Sequence, residues 1–158
     1  MKKIFSAFIF LLAGCGFSPL YSNVTTDQQD VPVQVAPIPN QYGASMRQVI
    51  QGKLGKTDTP LYTLTVSAPS FSSWDQTIDS KNFATTMGIQ GSVSYQLREN
   101  STHQVILNHS VFLNSSYSVV KDPYATVVAE RKVKKELADQ LAEQVSLHVL
   151  ATLAGINK

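Results

Sequence analysis

The sequence predicts an α+β fold: two helices packed on one face of a four-stranded, mostly antiparallel sheet, in the order β-α-β-β-β-α. Three observations lead there. From Thr86 to Leu97 the residues alternate, with Met87, Ile89, Gly91, Val93, Tyr95 and Leu97 on one side and polar or small residues on the other, the period of a half-buried strand. Met46, Val49, Ile50 and Leu54 recur at helical spacing. Beyond Asp122-Pro123, a stripe of Val127, Leu137, Ala138, Leu141, Val145 and Leu150 lies opposite Lys132, Lys135, Glu136, Asp139 and Glu143, which marks a second, longer helix with one apolar side.

Taken in order, Val31 to Ile38 is alternating and β-branched. It reads as a strand whose pairing Pro32 and Pro37 confine to the middle or to an edge. Pro39-Asn40 breaks the chain, and a helix follows over about 41–54, with Gly55 suited to its C-terminal cap. Leu61 to Ala68 is a strand with Tyr62, Leu64, Val66 and Ala68 on one face and Thr63, Thr65 and Ser67 on the other. Residues 69–82 are rich in Ser and Asp and hold Phe71 and the only tryptophan, Trp74; they read as a long polar loop. The alternating strand comes next, then a turn at Glu99-Asn100-Ser101-Thr102, then Val105 to Tyr117 as the returning strand of a long hairpin. Asp122 can cap the free amides of the last helix, and Pro123 suits its first position. That helix runs to about Thr152. No repeat or composition break divides the chain.

The N-terminus speaks to compartment. Lys2 and Lys3 precede an uncharged apolar run, Ile4 to Leu12, far short of the roughly 20 residues that span a bilayer. Leu12-Ala13-Gly14-Cys15 follows, a Leu and two small residues before a Cys, the pattern of a lipoprotein processing site. The expectation is a signal peptide over 1–14, lipid attachment at Cys15, a tether over 15–30 and a single domain over 31–155. Cys15 is the only cysteine among 158 residues, and lipidation would account for the odd thiol. Gly16 in place of an Asp favours the outer membrane, and two or more acyl chains on Cys15 would hold the protein there.

Loss of Lys2 and Lys3 with the signal would leave 11 basic residues against 11 acidic ones. No global field then argues for nucleic acid. Nor do the residues assemble a catalytic pattern. His103, His109 and His148 have no metal-ligand spacing. There is no nucleophile elbow or phosphate loop, and Asp75 and Asp79 are only a loose carboxylate pair. The expectation is a protein that is not an enzyme and has no cofactor and no metal.

Two features remain. Arg131, Lys132, Lys134 and Lys135 crowd two turns of the last helix. Lys134 falls in line with Val127, Leu137 and Leu141, so its stem either packs and snorkels or meets an anionic headgroup or acidic partner beside an apolar surface. The second feature is the strand faces, which carry Ser92, Ser94, Gln96, Asn108, Ser110, Asn114, Ser116 and Ser118. This neutral hydrogen-bonding surface suits either plain solvent or a polar enclosure such as the lumen of an outer-membrane barrel.

Cys15-Gly16-Phe17-Ser18-Pro19-Leu20-Tyr21 resembles the start of the alphaproteobacterial LPS-assembly lipoproteins, the LptE family. The first helix, with Arg47 followed by Leu54, is similar to that family's first helix, and Lys135 to Gln144 to the end of its domain. The resemblance implies an α+β domain anchored in the outer membrane that plugs and helps assemble the LptD barrel and assists lipopolysaccharide transport to the cell surface. It implies lipopolysaccharide binding through basic residues, for which Lys134 and Lys135 are the candidates. The competing reading is an auxiliary lipoprotein of an ABC-type lipid transport system.

Overall fold

A computed structural model of the chain describes residues 31–78 and 84–156. The proposed signal, the tether and Cys15 lie outside the described residues, as do positions 79–82 of the expected loop. The elements are β1 (Val33–Val35), α1 (Gln41–Leu54), β2 (Tyr62–Val66), β3 (Ser70–Ile78), β4 (Ala84–Glu99), β5 (Val105–Ser118) and α2 (Pro123–Ile156).

Two of the expected features need correction, the strand count and the element order: the sheet has five strands rather than four, in the order β-α-β-β-β-β-α. It is mostly antiparallel, as expected, with β1 running parallel to β2 and the other three pairs antiparallel. The parallel pair follows from α1, which lies between the two strands in sequence and returns the chain to its starting end. The additional strand, β3, occupies most of the expected 69–82 loop. It pairs with β4 from Ser70↔Ser92 to Ile78↔Ala84, with irregular register around Asp75 and Thr77.

β2 and β3 are laid end to end along one edge of β4, with β2 on residues 95–99 and β3 on residues 84–92, while β5 covers the other edge. Two hydrogen bonds bridge the junction: Ser67 N–H donates to the Ser94 carbonyl at 2.8 Å, and the Ser94 N–H donates to the Ser67 side-chain Oγ at 3.0 Å. At about 3.4 Å per residue, the 16 residues of β4 make a strand about 54 Å long, and the 34 residues of α2 extend about 51 Å at 1.5 Å each.

Both helices cover the same face. Met46, Ile50 and Leu54 of α1 and Ala138, Leu141, Ala142, Val145, Val149 and Leu153 of α2 pack on Val33, Val35, Leu64, Val66, Val93, Tyr95 and Leu97. Ser45 donates to Asp139 at 2.6 Å across the helix pair. The caps are local and sequence-encoded. Asn40, at φ 74°, accepts from the N–H groups of Tyr42 and Gly43, Gly55 closes α1 at φ 81°, and Asp122 accepts from the Tyr124 N–H at 2.9 Å. Gly43 must be glycine, because a Cβ there would run into the Ile38 carbonyl.

Packing is uneven along the long axis. The buried residues of α2 begin at Leu137, so its first four turns bury no side chain fully, and Val127, expected in the apolar stripe, is 42% exposed. Val120, Tyr124 and Val128 are exposed around it. The chain enters the described structure at the opposite end, where the Val31 N–H bonds to the Leu54 carbonyl and β1 lies beside the β4–β5 turn.

Candidate functional site

The basic run of α2 meets α1 in a shallow cleft. Gln41, Tyr42 and Ser45 from the first turns of α1 face Arg131 and Lys135 of α2 around an open volume of about 430 Å³. One helical turn places Arg131 and Lys135 together, and the N-terminal end of α1, with its partial positive charge, lines the same cleft. Phe71 of β3 sits edge-on to Tyr42 at 5.2 Å between ring centroids. The Lys134 ammonium lies 6.0 Å from the Phe71 ring centre, near the outer limit of a cation–π contact.

The two lysines chosen from the sequence differ in setting. Lys134 is half-buried and donates to Glu130 at 2.5 Å; its side chain is 26% exposed and that of Glu130 31%. Burial pushes the neighbouring Tyr117 phenol above its ordinary value; Glu130 adds to the rise and Lys134 opposes it. Lys134 therefore occupies the partly buried side of α2, paired with Glu130 and near Phe71. Lys135 points the other way, into the cleft, where it donates to Asp139 at 2.7 Å.

Sequence reasoning noted Arg131 but did not single it out. It is exposed, lines the cleft, and has no ion-pair partner among the described residues. The α2 spacing alone could have flagged it, one turn before Lys135. The structure also brings His109 and His148 together, 39 positions apart in the chain, which no sequence spacing could indicate.

The other surface of interest is the uncovered face of the sheet. The expected neutral residues do share it: Ser92, Ser94 and Gln96 of β4 stand opposite Phe112, Ser110 and Asn108 of β5. Ser94 and Ser110 share a hydrogen bond at 2.8 Å, Gln90 donates to Asn114 at 3.1 Å, and Ser70 and Ser92 are 2.8 Å apart. Arg98 is the one charged residue that the pairing register places on this face among the described residues. Two aromatics interrupt it. Phe112 is 66% exposed, and Trp74 lies directly over Gly88, where any Cβ would collide with the indole.

These features define an α+β domain with one packed face, one open neutral face and a basic cleft between its helices. The fold recurs in solved bacterial lipoproteins. The fold is similar to that of rare lipoprotein B from Shewanella oneidensis, with a TM-score of 0.62 at 10% identity over 80% of this chain and 98% of that one. It is also similar to a candidate lipoprotein from Caulobacter crescentus, with a TM-score of 0.60 at 16% identity over 81% and 96%. A minor lipoprotein from Acinetobacter baumannii aligns with a TM-score of 0.56 at 16% identity over 77% and 92%. No family model matches the sequence, and no curated protein matches it. At such identities the likeness is one of fold alone, shared with these bacterial lipoproteins.

Proposed function

We propose that this chain is an outer-membrane lipoprotein of the LptE type, of the alphaproteobacterial kind suggested by Cys15 to Tyr21, and a non-catalytic subunit of the lipopolysaccharide translocon. Lipid on Cys15 tethers the domain to the membrane. The domain plugs the LptD barrel, helps it assemble, and assists lipopolysaccharide on its way to the surface.

The observation that carries this reading is the open sheet face. Across β3, β4 and β5 it offers hydroxyl and amide groups with almost no charge. Such a surface can sit against a water-lined barrel wall without stranding a buried ion, whose desolvation is costly. Trp74 and Phe112 supply the aromatic anchors that interfaces favour. The fold shared with bacterial lipoproteins points the same way.

In this reading Arg131 and Lys135 meet lipopolysaccharide phosphates in the cleft, and Lys134 contributes from the Phe71 side. The test is purification of the lipoprotein at native expression in mild detergent, followed by mass spectrometry. Co-elution with a large outer-membrane barrel supports the proposal. A lipoprotein running alone, or one eluting with a permease and a substrate-binding protein as the ABC-transport reading requires, would end it.

A further inference from the structure

On the helix-covered side of the sheet, away from the basic cleft, β4, β5 and α2 bring together three ring side chains. Tyr95 and His109 are cross-strand partners in β4 and β5. His148 reaches them from α2. The two imidazoles lie 5.5 Å apart between centroids, with their planes inclined at 67°. A hydrogen bond joins the Tyr95 hydroxyl to His148 Nδ1. The group opens to the surface through a recess of about 300 Å³ lined by Tyr95, Leu107, His109, His148, Ala151 and Thr152.

We propose that His109 and His148 form a binding site for a late first-row divalent metal ion, Zn²⁺ or Cu²⁺, that pins the C-terminal half of α2 to β5. The separation of the rings fits one shared ion in near-tetrahedral coordination. A metal–nitrogen bond of about 2.05 Å plus roughly 1.1 Å from nitrogen to ring centre puts each centroid about 3.2 Å from the metal, so N–metal–N angles of roughly 110–120° give centroids about 5.2–5.5 Å apart. The donor chemistry also fits, since neutral imidazole prefers zinc and copper to magnesium or calcium.

Tyr95 completes the arrangement as a positioning residue. With Nδ1 of His148 engaged by the phenol, Nε2 is the nitrogen left for a metal. When Nε2 binds metal, Nδ1 carries the proton and donates it to the phenol oxygen, an orienting bond typical of metal-bound histidine. None of the hydrogen bonds among the described residues engages the His109 ring, which leaves both its nitrogens for a ligand. Water or a donor from a partner fills the remaining coordination positions.

The experiment is calorimetric titration of the detergent-purified lipoprotein with Zn²⁺ and Cu²⁺, with electron paramagnetic resonance on the copper form. The expected result is one ion per chain with two imidazole nitrogens in its copper spectrum. His109→Ala and His148→Ala should each weaken binding by well over tenfold, and Tyr95→Phe by roughly tenfold, as loss of an orienting partner does. His103→Ala should change nothing. An ion at about one hundred times its Kd should raise the melting temperature by roughly 5–10 °C, because it binds only the folded arrangement. The proposal is overturned if the wild-type copper spectrum shows fewer than two imidazole nitrogens. It is also overturned if the His109→Ala, His148→Ala double variant binds as the wild type does. The spectrum of the unaltered protein decides the matter even where a variant fails to fold.

Discussion

Lys134→Asp and Arg131→Gln should separate stability from binding on the same two turns of α2. Lys134 and Glu130 form a 2.5 Å pair with both side chains less than a third exposed, at 26% and 31%. Replacing the ammonium by a carboxylate removes that attraction and sets two negative groups beside Phe71 and Tyr117. At an effective dielectric of about 20, like charges about 4 Å apart repel by about 4 kcal/mol. Rotation of the side chains towards water relieves part of this, so the expected net cost is about 1.5–3 kcal/mol. For a domain of this size that lowers the melting temperature by roughly 5–10 °C. Arg131 is exposed and has no ion-pair partner among the described residues, so Arg131→Gln should change stability by less than about 0.5 kcal/mol. It should nevertheless weaken lipopolysaccharide binding by about tenfold, the loss of one charge-assisted hydrogen bond of roughly 1.5 kcal/mol. Thermal melts and titration with purified lipopolysaccharide read the two effects separately. A Lys134→Asp protein that melts with the wild type would show that the pair is fully screened and refute the burial argument. An Arg131→Gln protein that binds normally while Lys134→Met loses binding would refute the orientation of the cleft.

Leu141→Ala, at a position with no exposed surface, should cost about 2.5–5 kcal/mol in urea unfolding, whereas Val127→Ala, four turns earlier on the thinly packed part of α2, should cost less than about 1 kcal/mol. Gly88→Val should force the indole of Trp74 off the strand; because this is the only tryptophan, its emission should shift to longer wavelength, with a loss of about 1–3 kcal/mol from the steric conflict. Alkaline unfolding should depend on Tyr95. Burial holds its folded pKa above the ordinary 10.0, so its contribution is present below pH 10 and is lost as the pH rises past that value, when the unfolded chain gives up the proton first. Tyr95→Phe should therefore flatten the stability loss above pH 10, and an unchanged slope would assign that loss to other groups.

Legibility differed from element to element for physical reasons. α1, β2, β4, β5 and the start of α2 were readable because burial of one face imprints a period on the sequence, and because Gly55, Asp122 and Pro123 are local signals that act through the nearest backbone. β3 was not. Apart from half-buried Phe71, its side chains are exposed on both faces, so no hydropathy period exists to be read. Main-chain bonds to the free edge of β4 make it a strand. Val127 was misplaced for the related reason that helical spacing says which residues share a side, while the reach of the sheet and of α1 decides how far along that side is covered.

By itself, the sequence determined the helix–sheet composition, the caps, the hairpin, the neutral character of the open face and the lone Cys15 with its lipoprotein-like surroundings. These depend on neighbours within a few residues or on simple periodicity. Only the tertiary structure decided that β2 and β3 share one edge of β4, that Lys135 and Arg131 face α1, and that His109 meets His148. Those outcomes join residues far apart in the chain. They are set by which edges and faces the packed core leaves available, and no local pattern carries that information.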